Sequence, residues 1–342
     1  MKSIQREHLA GLLERWSERY KVFAPCRQGQ GECIFDRFDE ETFTLDYRKP
    51  HLPPKAEYLP QSEVLFEVRN GEYRAPMPEG DRLFFGIRAC DMMGLRQASH
   101  FMNRDVVDPY YRSRNEGAVT VVMACKGPQN ETCFCTTTGS GPVSSQGFDL
   151  QLYDFGDRFL VEAGSPRGNA LLEEDMFDAV DAIWAQGAIQ TFRDEASRAI
   201  PVVPAVSEAM EMLRNENVSD EVWDYFGTKC IVCGGCAFVC PTCTCFNVTD
   251  SVRDRESGVR VRAWDACLYG GFTKEASGHN PRGTQALRLK RRHEHKLRYY
   301  SEGDILDGLC GCVGCGRCSD FCPVGIGTLE VVRAISRNTL SP

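Results

Sequence analysis

The 342-residue sequence lacks the common nucleotide-binding signatures. No G-x-x-x-x-G-K-[ST] occurs, and no G-x-G-x-x-G stands between a strand-like and a helix-like stretch. The sequence also contains nothing that resembles a haem attachment motif, a nickel site or a Ser-His-Asp arrangement. It therefore offers no obvious catalytic centre of its own.

Long apolar runs are missing as well, and none approaches the length that spans a bilayer. Residues 1–16 mix charged with apolar residues and have no apolar h-region, so we expect no signal peptide and no membrane span. The formal net charge of −8 argues against general nucleic-acid binding.

Cysteine is the residue that the sequence has in excess, at 18 copies. Without a signal for export, so many thiols indicate a reducing cytoplasm, where cysteines bind metal instead of forming disulfides. The length is enough for about two domains. We place them at residues 1–200 and 201–342.

Eight of the cysteines fall into two copies of one motif. Residues 230–241 read CIVCGGCAFVCP and residues 312–323 read CVGCGRCSDFCP, so both are C-x2-C-x2-C-x3-C-P. This run binds [4Fe-4S] clusters, and the fourth cysteine of each run ligates the other cluster in two-cluster ferredoxins. A zinc knuckle or a disulfide scaffold is the weaker alternative, because zinc sites usually separate two CxxC units by a long gap. The predicted ligands are Cys230, Cys233, Cys236 and Cys322 for the first cluster, and Cys312, Cys315, Cys318 and Cys240 for the second.

The pattern of apolar residues predicts an α+β protein. Strand-like runs at 83–87 and 118–124 flank a helical stretch at 92–101, which indicates a parallel βαβ unit within a mixed or partly parallel sheet. We further expect a strand at 42–47 and an amphipathic helix at 170–190. The second domain is predicted to be ferredoxin-like and split by a long insertion, an inserted subdomain at 246–309.

A third group of cysteines lies in the N-terminal half: Cys90, Cys125, Cys133 and Cys135. Cys90 and Cys125 follow the two predicted parallel strands, at the ends where α/β sheets place their ligands. Two thiols spaced as Cys-x-Cys in an extended loop point to the same side, which suits chelation. We predict a third iron–sulfur cluster here, with zinc or plain buried thiols as the alternatives.

The remaining cysteines give weaker signals. Cys243, Cys245 and Cys267 make up a further candidate metal site, for which His279 is a conceivable fourth ligand; packing near a cluster is the default interpretation. Three other cysteines show no ligand pattern: Cys26, Cys33 and Cys310.

Positive charge is concentrated in one segment. Residues 251–300 hold 12 Lys and Arg against 5 Asp and Glu, and the densest part is 288–292. The segment is either a solvated helix face, a source of cations that offset the charge of nearby clusters, or a docking patch for an acidic partner. His293 and His295 lie inside it, and we expect both at the surface.

Together, these features resemble a known family: the beta subunits of soluble NiFe sulfhydrogenases and, slightly less closely, the dicluster electron-transfer subunit of anaerobic sulfite reductase. The resemblance covers most of residues 10–330. It rests on both ferredoxin runs and on several short motifs, which are HLPP at 51–54, RACD at 88–91, CFC at 133–135, GFDL at 147–150, CPTCTC at 240–245, WDAC at 264–267 and GHN at 278–280.

The resemblance implies an electron-transfer protein without a catalytic residue of its own. A flavin- and NAD(P)-binding partner subunit, carrying FAD, would exchange hydride with NAD(P)H. The clusters would pass single electrons to NiFe hydrogenase subunits or to a siroheme sulfite reductase subunit. Two interpretations from other classes compete with this one: a self-contained enzyme that binds substrate or flavin at the Cys90 and Cys125 crevice, and a redox sensor or scaffold whose clusters are structural.

Overall fold

The computed structural model describes residues 1–29, 31–302 and 310–338, so the last part of the predicted insertion, 303–309, lies outside the described residues. Twelve strands are present in this part of the chain. They are β1 (Lys2–Gln5), β2 (Lys21–Gln28), β3 (Glu32–Arg37), β4 (Ser62–Arg69), β5 (Glu72–Arg74), β6 (Arg82–Ile87), β7 (Ala118–Met123), β8 (Leu150–Asp154), β9 (Arg158–Ala163), β10 (Asp178–Ala179), β11 (Phe246–Val252) and β12 (Gly258–Trp264).

The α-helices alternate with strands in the first half and dominate the second half. They are α1 (Leu9–Ser17), α2 (Lys55–Tyr58), α3 (Ala89–Asn103), α4 (Pro109–Glu116), α5 (Pro166–Leu171), α6 (Ala182–Ala199), α7 (Ala205–Arg214), α8 (Asp220–Lys229), α9 (Gly235–Phe238), α10 (Gln285–Glu294), α11 (Tyr300–Glu302), α12 (Arg317–Asp320) and α13 (Thr328–Arg337). A π-helical turn, His295–Tyr299, continues α10.

The N-terminal half is built on a mixed eight-stranded sheet in the order β10-β1-β9-β8-β7-β6-β2-β3. The four strands β2, β6, β7 and β8 are parallel, and the others pair antiparallel. The predicted mixed α/β architecture with its parallel βαβ unit is therefore confirmed. Strands β6 and β7 are almost wholly buried, which suits their continuous apolar sequences.

Two local predictions were wrong. Residues 42–47 form no strand and contribute only an isolated bridge between Phe43 and Cys26. Cys26 pairs with Ile34 of β3 on one edge, so Phe43 lies at the other edge of β2, past the last residue that pairs with β6. The expected helix at 170–190 is replaced by α5, an irregular stretch and α6. Helix α6 begins later, where the Asp181 side chain accepts a hydrogen bond from the Trp184 N–H and caps the first turn.

The inserted segment pairs with the N-terminal half. Strands β11 and β12 form a hairpin, and β12 pairs with β4 in an antiparallel sheet of order β11-β12-β4-β5. A buried ionic network ties this sheet to α4, with Arg262 bound to Glu63 and Asp108. The sheet thus joins residues from both sides of the predicted boundary at residue 200.

Helices α7, α8, α10 and α13 form the C-terminal core. Their buried faces meet in one apolar cluster that includes Trp223, Phe226, Leu289, Leu329 and Val332. Cys230, Cys236, Cys312 and Cys322 pack against the edge of this cluster. The helices therefore fix both ferredoxin runs against one rigid support.

Candidate iron–sulfur sites

The four cysteines predicted for the first cluster line one cavity. Helix α8 ends at Lys229, and the loop after it brings Cys230, Cys233 and Cys236 to the cavity wall. Cys322 reaches the same cavity from the second run. The rest of the lining is mainly apolar, from Leu268, Leu289, Val324 and Ile326. The geometry suits a cubane held by three thiolates from one loop and one from the other run.

Hydrogen-bond donors approach the sulfurs of this first group. The Ile326 N–H lies 3.3 Å from Cys322 Sγ, and the Gln285 side-chain amide lies 3.2 Å from Cys230 Sγ. Hydrogen bonds to cluster sulfurs are one of the levers that set reduction potentials. These donors would therefore tune the first cluster.

The second group, Cys312, Cys315, Cys318 and Cys240, is more deeply enclosed. Burial raises the pKa of Cys315 to about 11, against the cations Arg317 and Lys49, and the neighbouring Cys240 thiol raises it further. Cys240, the fourth cysteine of the first run, is therefore close to Cys315 of the second run. The Thr328 N–H lies 3.3 Å from Cys318 Sγ and the Gly314 N–H lies 3.5 Å from Cys312 Sγ, so backbone donors reach these sulfurs too.

The first and second groups are neighbours through Cys236 and Cys318. Burial raises the pKa of Cys236 to about 11. The charge of Arg292 opposes this rise, and the nearby Cys318 thiol adds to it. Thiols with such high pKa values are neutral unless a metal binds them, and metal coordination deprotonates a thiol outright. Cys236 and Cys315, the two thiols with these raised pKa values, are therefore suited to metal-bound thiolates, not to free nucleophilic ones.

None of these groups has the form of a site for a single ion. Within the described ranges, no three His, Cys, Asp or Glu side chains converge as the ligands of one metal ion do. Zinc would draw its ligands to about 2.3 Å from a common point. A cubane instead separates its thiolates, one at each of four iron corners.

The third group also comes together at the carboxyl edge of the sheet. Cys90 lies in the first turn of α3 after β6, and Cys125 follows β7. Burial raises the pKa of Cys135, and the thiols of Cys125 and Cys133 raise it further. Cys90 has Cys135 among its electrostatic neighbours. All four predicted residues therefore share one buried neighbourhood; their ligation of a third cluster stays a prediction.

The loop that carries the third group packs directly on the second run. The Phe134 N–H donates to the Gly314 carbonyl at 2.8 Å, and the Ser140 hydroxyl donates to the Val313 carbonyl at 2.5 Å. Cys315 is among the electrostatic neighbours of both Cys90 and Cys135. The second group thus lies between the first and the third.

A buried ion pair joins these two parts of the chain, and sequence reasoning missed it. Asp91, on α3, receives two hydrogen bonds from the Arg317 guanidinium, at 2.5 and 2.8 Å, and both side chains are fully buried. The third guanidinium donor, Nε, binds the Pro50 carbonyl at 2.9 Å. The signal was present, since Asp91 ends the RACD motif and Arg317 stands between two cysteines of the second run.

The basic segment has two of its three expected characters, buried cations beside the cysteines and a partly solvated face. Arg292 and Lys296 are buried, and the Arg292 side chain donates to the Cys236 carbonyl at 3.3 Å, so these two cations offset charge beside the cysteines. Lys290 and Arg291 are partly exposed. Lys55, which the sequence did not single out, is a further buried cation, and it donates to the carbonyls of Cys240 and Cys243 at 3.0 Å each.

The expected surface position of His293 was wrong, whereas His295 is exposed. His293 has no accessible surface, because α10 turns this side toward α8, where the ring faces Trp223. Burial and the charges of Arg292 and Lys296 lower the pKa of His293 to about 3, so the ring is neutral. Its Nδ1 lies 2.9 Å from the Leu289 carbonyl, to which it donates.

The three cysteines of the weaker candidate metal site lie together, but His279 does not join them. One cavity is lined by Cys243, Cys245 and Cys267. The thiols form two hydrogen-bonded pairs, Cys245 with Cys267 and Cys243 with Cys240. His279 is exposed and does not line this cavity. The Cys310 thiol donates a hydrogen bond to the Lys296 carbonyl at 3.1 Å, and Cys26 and Cys33 lie in the β2–β3 pair. These last three show no ligand arrangement.

Comparison with known proteins agrees with this geometry. Residues 229–326 match the family model of the 4Fe-4S dicluster domain. The chain is also 29% identical, over 337 residues, to sulfhydrogenase 2 subunit beta of Pyrococcus furiosus, with 96% of each chain covered. The chain is therefore similar to a sulfhydrogenase beta subunit along almost its whole length. The resemblance identified from the sequence motifs is therefore confirmed.

No solved structure matches the chain. In the part of the chain that the structure describes, no helix is long and apolar enough to cross a membrane. The matched dicluster region runs from the last residue of α8 to the segment just before α13, so it includes β11, β12 and α10. The two ferredoxin runs and the insertion between them thus fall within one matched domain family.

Proposed function

We propose that this chain is an iron–sulfur electron-transfer subunit that relays single electrons between a flavin- and NAD(P)-binding partner and a terminal redox enzyme. One observation carries the proposal: the three predicted groups of four cysteines lie next to one another, with the second group between the first and the third. The dicluster family and the sulfhydrogenase homologue support the iron–sulfur assignment. FAD and NAD(P) would belong to the partner, in keeping with the absence of their motifs from the sequence.

The order of the route follows from the contacts. The third group touches the second through Phe134 and Gly314, and the second adjoins the first through Cys318 and Cys236. Outer-sphere transfer requires only such short gaps between preorganised sites. The chain supplies these without a general acid or base.

The first group ends the route at the protein surface. Cys233 is exposed, and beside it Ile231 keeps 60% and Phe321 keeps 39% of its surface accessible. Exposed apolar side chains around a redox centre are suited to a docking partner. We assign this face to one of the two redox partners.

The third group adjoins a crevice at the other end of the route. The crevice lies beside Cys125 and is lined by Arg6, Arg88 and Lys126, with Asp154 as the one carboxylate among the lining residues that the structure describes. We assign the second partner, or an extension of it, to this end. Two ends with different chemistry are what a relay between unlike partners requires.

For the terminal enzyme we favour a NiFe hydrogenase module, because the Pyrococcus furiosus relative is a sulfhydrogenase subunit. The second candidate is an anaerobic siroheme sulfite reductase, whose dicluster electron-transfer subunit shares the same short motifs. A self-contained flavin or iron–sulfur oxidoreductase is the alternative from another class. All three interpretations place the chain in the cytoplasm, where its thiols stay reduced.

The deciding experiment is anaerobic purification of a tagged copy of the chain, with identification of its partners by mass spectrometry. A flavoprotein with NiFe hydrogenase subunits supports the favoured relay, and a flavoprotein with a siroheme protein moves the assignment to sulfite reduction. A matched copy with Cys233→Ser should still recover the same partners but lose electron transfer through the complex. Recovery of the chain alone, active with a small donor and acceptor, contradicts the relay.

A further inference from the structure

A second cavity lies outside the three cysteine groups. It has a volume of about 380 Å³ and lies between the residues after the first ferredoxin run and the π-helical turn. Ligand pockets in proteins typically range from about 300 to 1,000 Å³ and combine an apolar lining with a few converging polar groups. The cavity falls within this range, and the relay does not use it.

The cavity is strongly cationic. Four cations line it, Arg104, Arg282, Arg292 and Lys296, and the lining residues that the structure describes include no Asp or Glu. His295 also lines it. A cavity with this charge favours an anion.

Neighbouring carboxylates leave most of this charge in place. Arg104 donates to Asp105, while Glu294 accepts from Tyr299 and pairs with Arg291 outside the cavity wall. Arg292 keeps one donor free, since its buried Nε has no hydrogen-bond partner among the described residues. A buried guanidinium donor without a partner costs free energy, and a bound anion would satisfy it.

The walls of the cavity are aromatic. Five rings line it: Phe101, Phe246, Phe272, Tyr299 and Tyr300. Flat rings offer stacking surface to a planar ligand, and arginine side chains pair with phosphate oxygens in a bidentate manner. The combination of rings and arginines selects a ligand that has both a ring system and a phosphate.

We propose that this cavity binds a planar aromatic phosphate, that is, a mononucleotide. The lining thiols Cys243, Cys245 and Cys267 share the cavity with these cations and rings. Cys243 interacts with Cys240 of the second group. A redox-active ring in the cavity would therefore lie one side chain away from the relay.

The two sources of this chemistry are a flavin mononucleotide and an adenine mononucleotide. Equilibrium dialysis of the anaerobic, cluster-loaded full chain against FMN, AMP and inorganic phosphate separates them. We expect saturable binding of one nucleotide per chain, with phosphate as the weaker competitor. Binding of FMN alone identifies a flavin site, whereas equal binding of FMN and AMP identifies a nucleotide site without selection for the ring.

The variant for this test is the double change Arg104→Ala with Arg282→Ala, which touches none of the predicted cluster cysteines. It should weaken nucleotide binding at least about tenfold, since two phosphate-binding cations are lost. Arg253→Ala, on the exposed turn of the β11–β12 hairpin, is the matched control and should bind normally. Iron content and dithionite-reduced spectra of all samples show that the clusters are intact.

Three results would overturn the proposal. They are the absence of saturable binding of either nucleotide up to about 1 mM, binding of phosphate alone, and nucleotide binding that the double variant leaves unchanged. Each of them leaves the relay untouched, because reduction of the clusters is measured separately in the same samples. Conversely, a chain that binds FMN but whose clusters cannot be reduced would contradict the relay and still support the nucleotide site.

Discussion

The two ferredoxin runs have the same backbone but different surroundings. Val232 has φ 59° and Gly234 has φ 74°, and at the matching positions Gly314 has φ 57° and Gly316 has φ 73°. Gly234 and Gly316 directly precede the short helices α9 and α12. Cys233 is exposed, whereas the matching Cys315 keeps only 8% of its surface accessible.

This difference shows which features the motif determines and which the rest of the fold determines. The cysteine spacing requires a left-handed residue before the second cysteine in both runs. In the first run a valine takes that conformation, which is a rare strain for a β-branched residue. In the second run a Cβ at Gly314 would lie 2.7 Å from the Phe134 backbone, so only glycine fits.

The largest expected effect comes from removing one cysteine of each run. Cys233→Ser and Cys315→Ser should each remove one cluster, about four iron atoms per chain. Only Cys315→Ser should also disturb the third group, because Cys315 is a neighbour of Cys90 and Cys135. Iron analysis and cluster spectra check this, with Cys33→Ser as a control that should keep all iron. An unchanged iron content in Cys315→Ser would refute the assigned ligands.

The left-handed position distinguishes the two runs by stability. Gly314→Val should destabilise the chain by roughly 3 kcal/mol or more, since the side chain meets the Phe134 backbone as well as the strained φ. Val232→Gly should stabilise by about 1 kcal/mol, because it releases strain at an accessible site. Urea unfolding of the cluster-loaded chain measures both. Equal effects at the two positions would contradict the comparison.

The buried ion pair belongs to the second run alone, because Gly235 stands where the second run has Arg317. Asp91→Asn should cost about 3–5 kcal/mol, since it leaves a buried guanidinium without its carboxylate. The double change Asp91→Asn with Arg317→Leu should recover part of this loss. Thermal unfolding of the single and double variants measures the difference, and a single variant as stable as the parent would show that the pair is not structural.

The smallest effect concerns the potential of the first cluster. Arg292 is buried beside Cys236, and its positive charge stabilises the more negative, reduced cluster. Arg292→Met should therefore lower the midpoint potential of that cluster, on the order of 50 mV. Lys290→Met, at a partly exposed site on the same helix, is the control. Potentiometric titration monitored by EPR measures the midpoint potentials. Equal shifts in both variants would show that Arg292 has no specific effect on the potential of the first cluster.

Sequence reasoning predicted the parts of the fold and site that local spacing determines. The cysteine runs, the βαβ unit and the cysteines at strand ends all depend on neighbours in the chain, and the comparisons confirm the dicluster domain. The Asp91–Arg317 pair, the buried Lys55 and the buried His293 depend on contacts between distant segments, which periodicity does not encode. The strand expected at 42–47 failed for the same reason, since among these residues only Phe43 has a ladder partner, Cys26 of β2.

The central claim is that three neighbouring cysteine groups each hold a cluster in one continuous relay. Iron and sulfide analysis of the anaerobically purified chain tests it most directly, together with EPR of the fully reduced protein. The account predicts about 12 iron atoms per chain and magnetic coupling between neighbouring clusters, with loss of about four iron atoms in Cys133→Ser with Cys135→Ser. About eight iron atoms, unchanged in that double variant, would show that the N-terminal group holds no cluster.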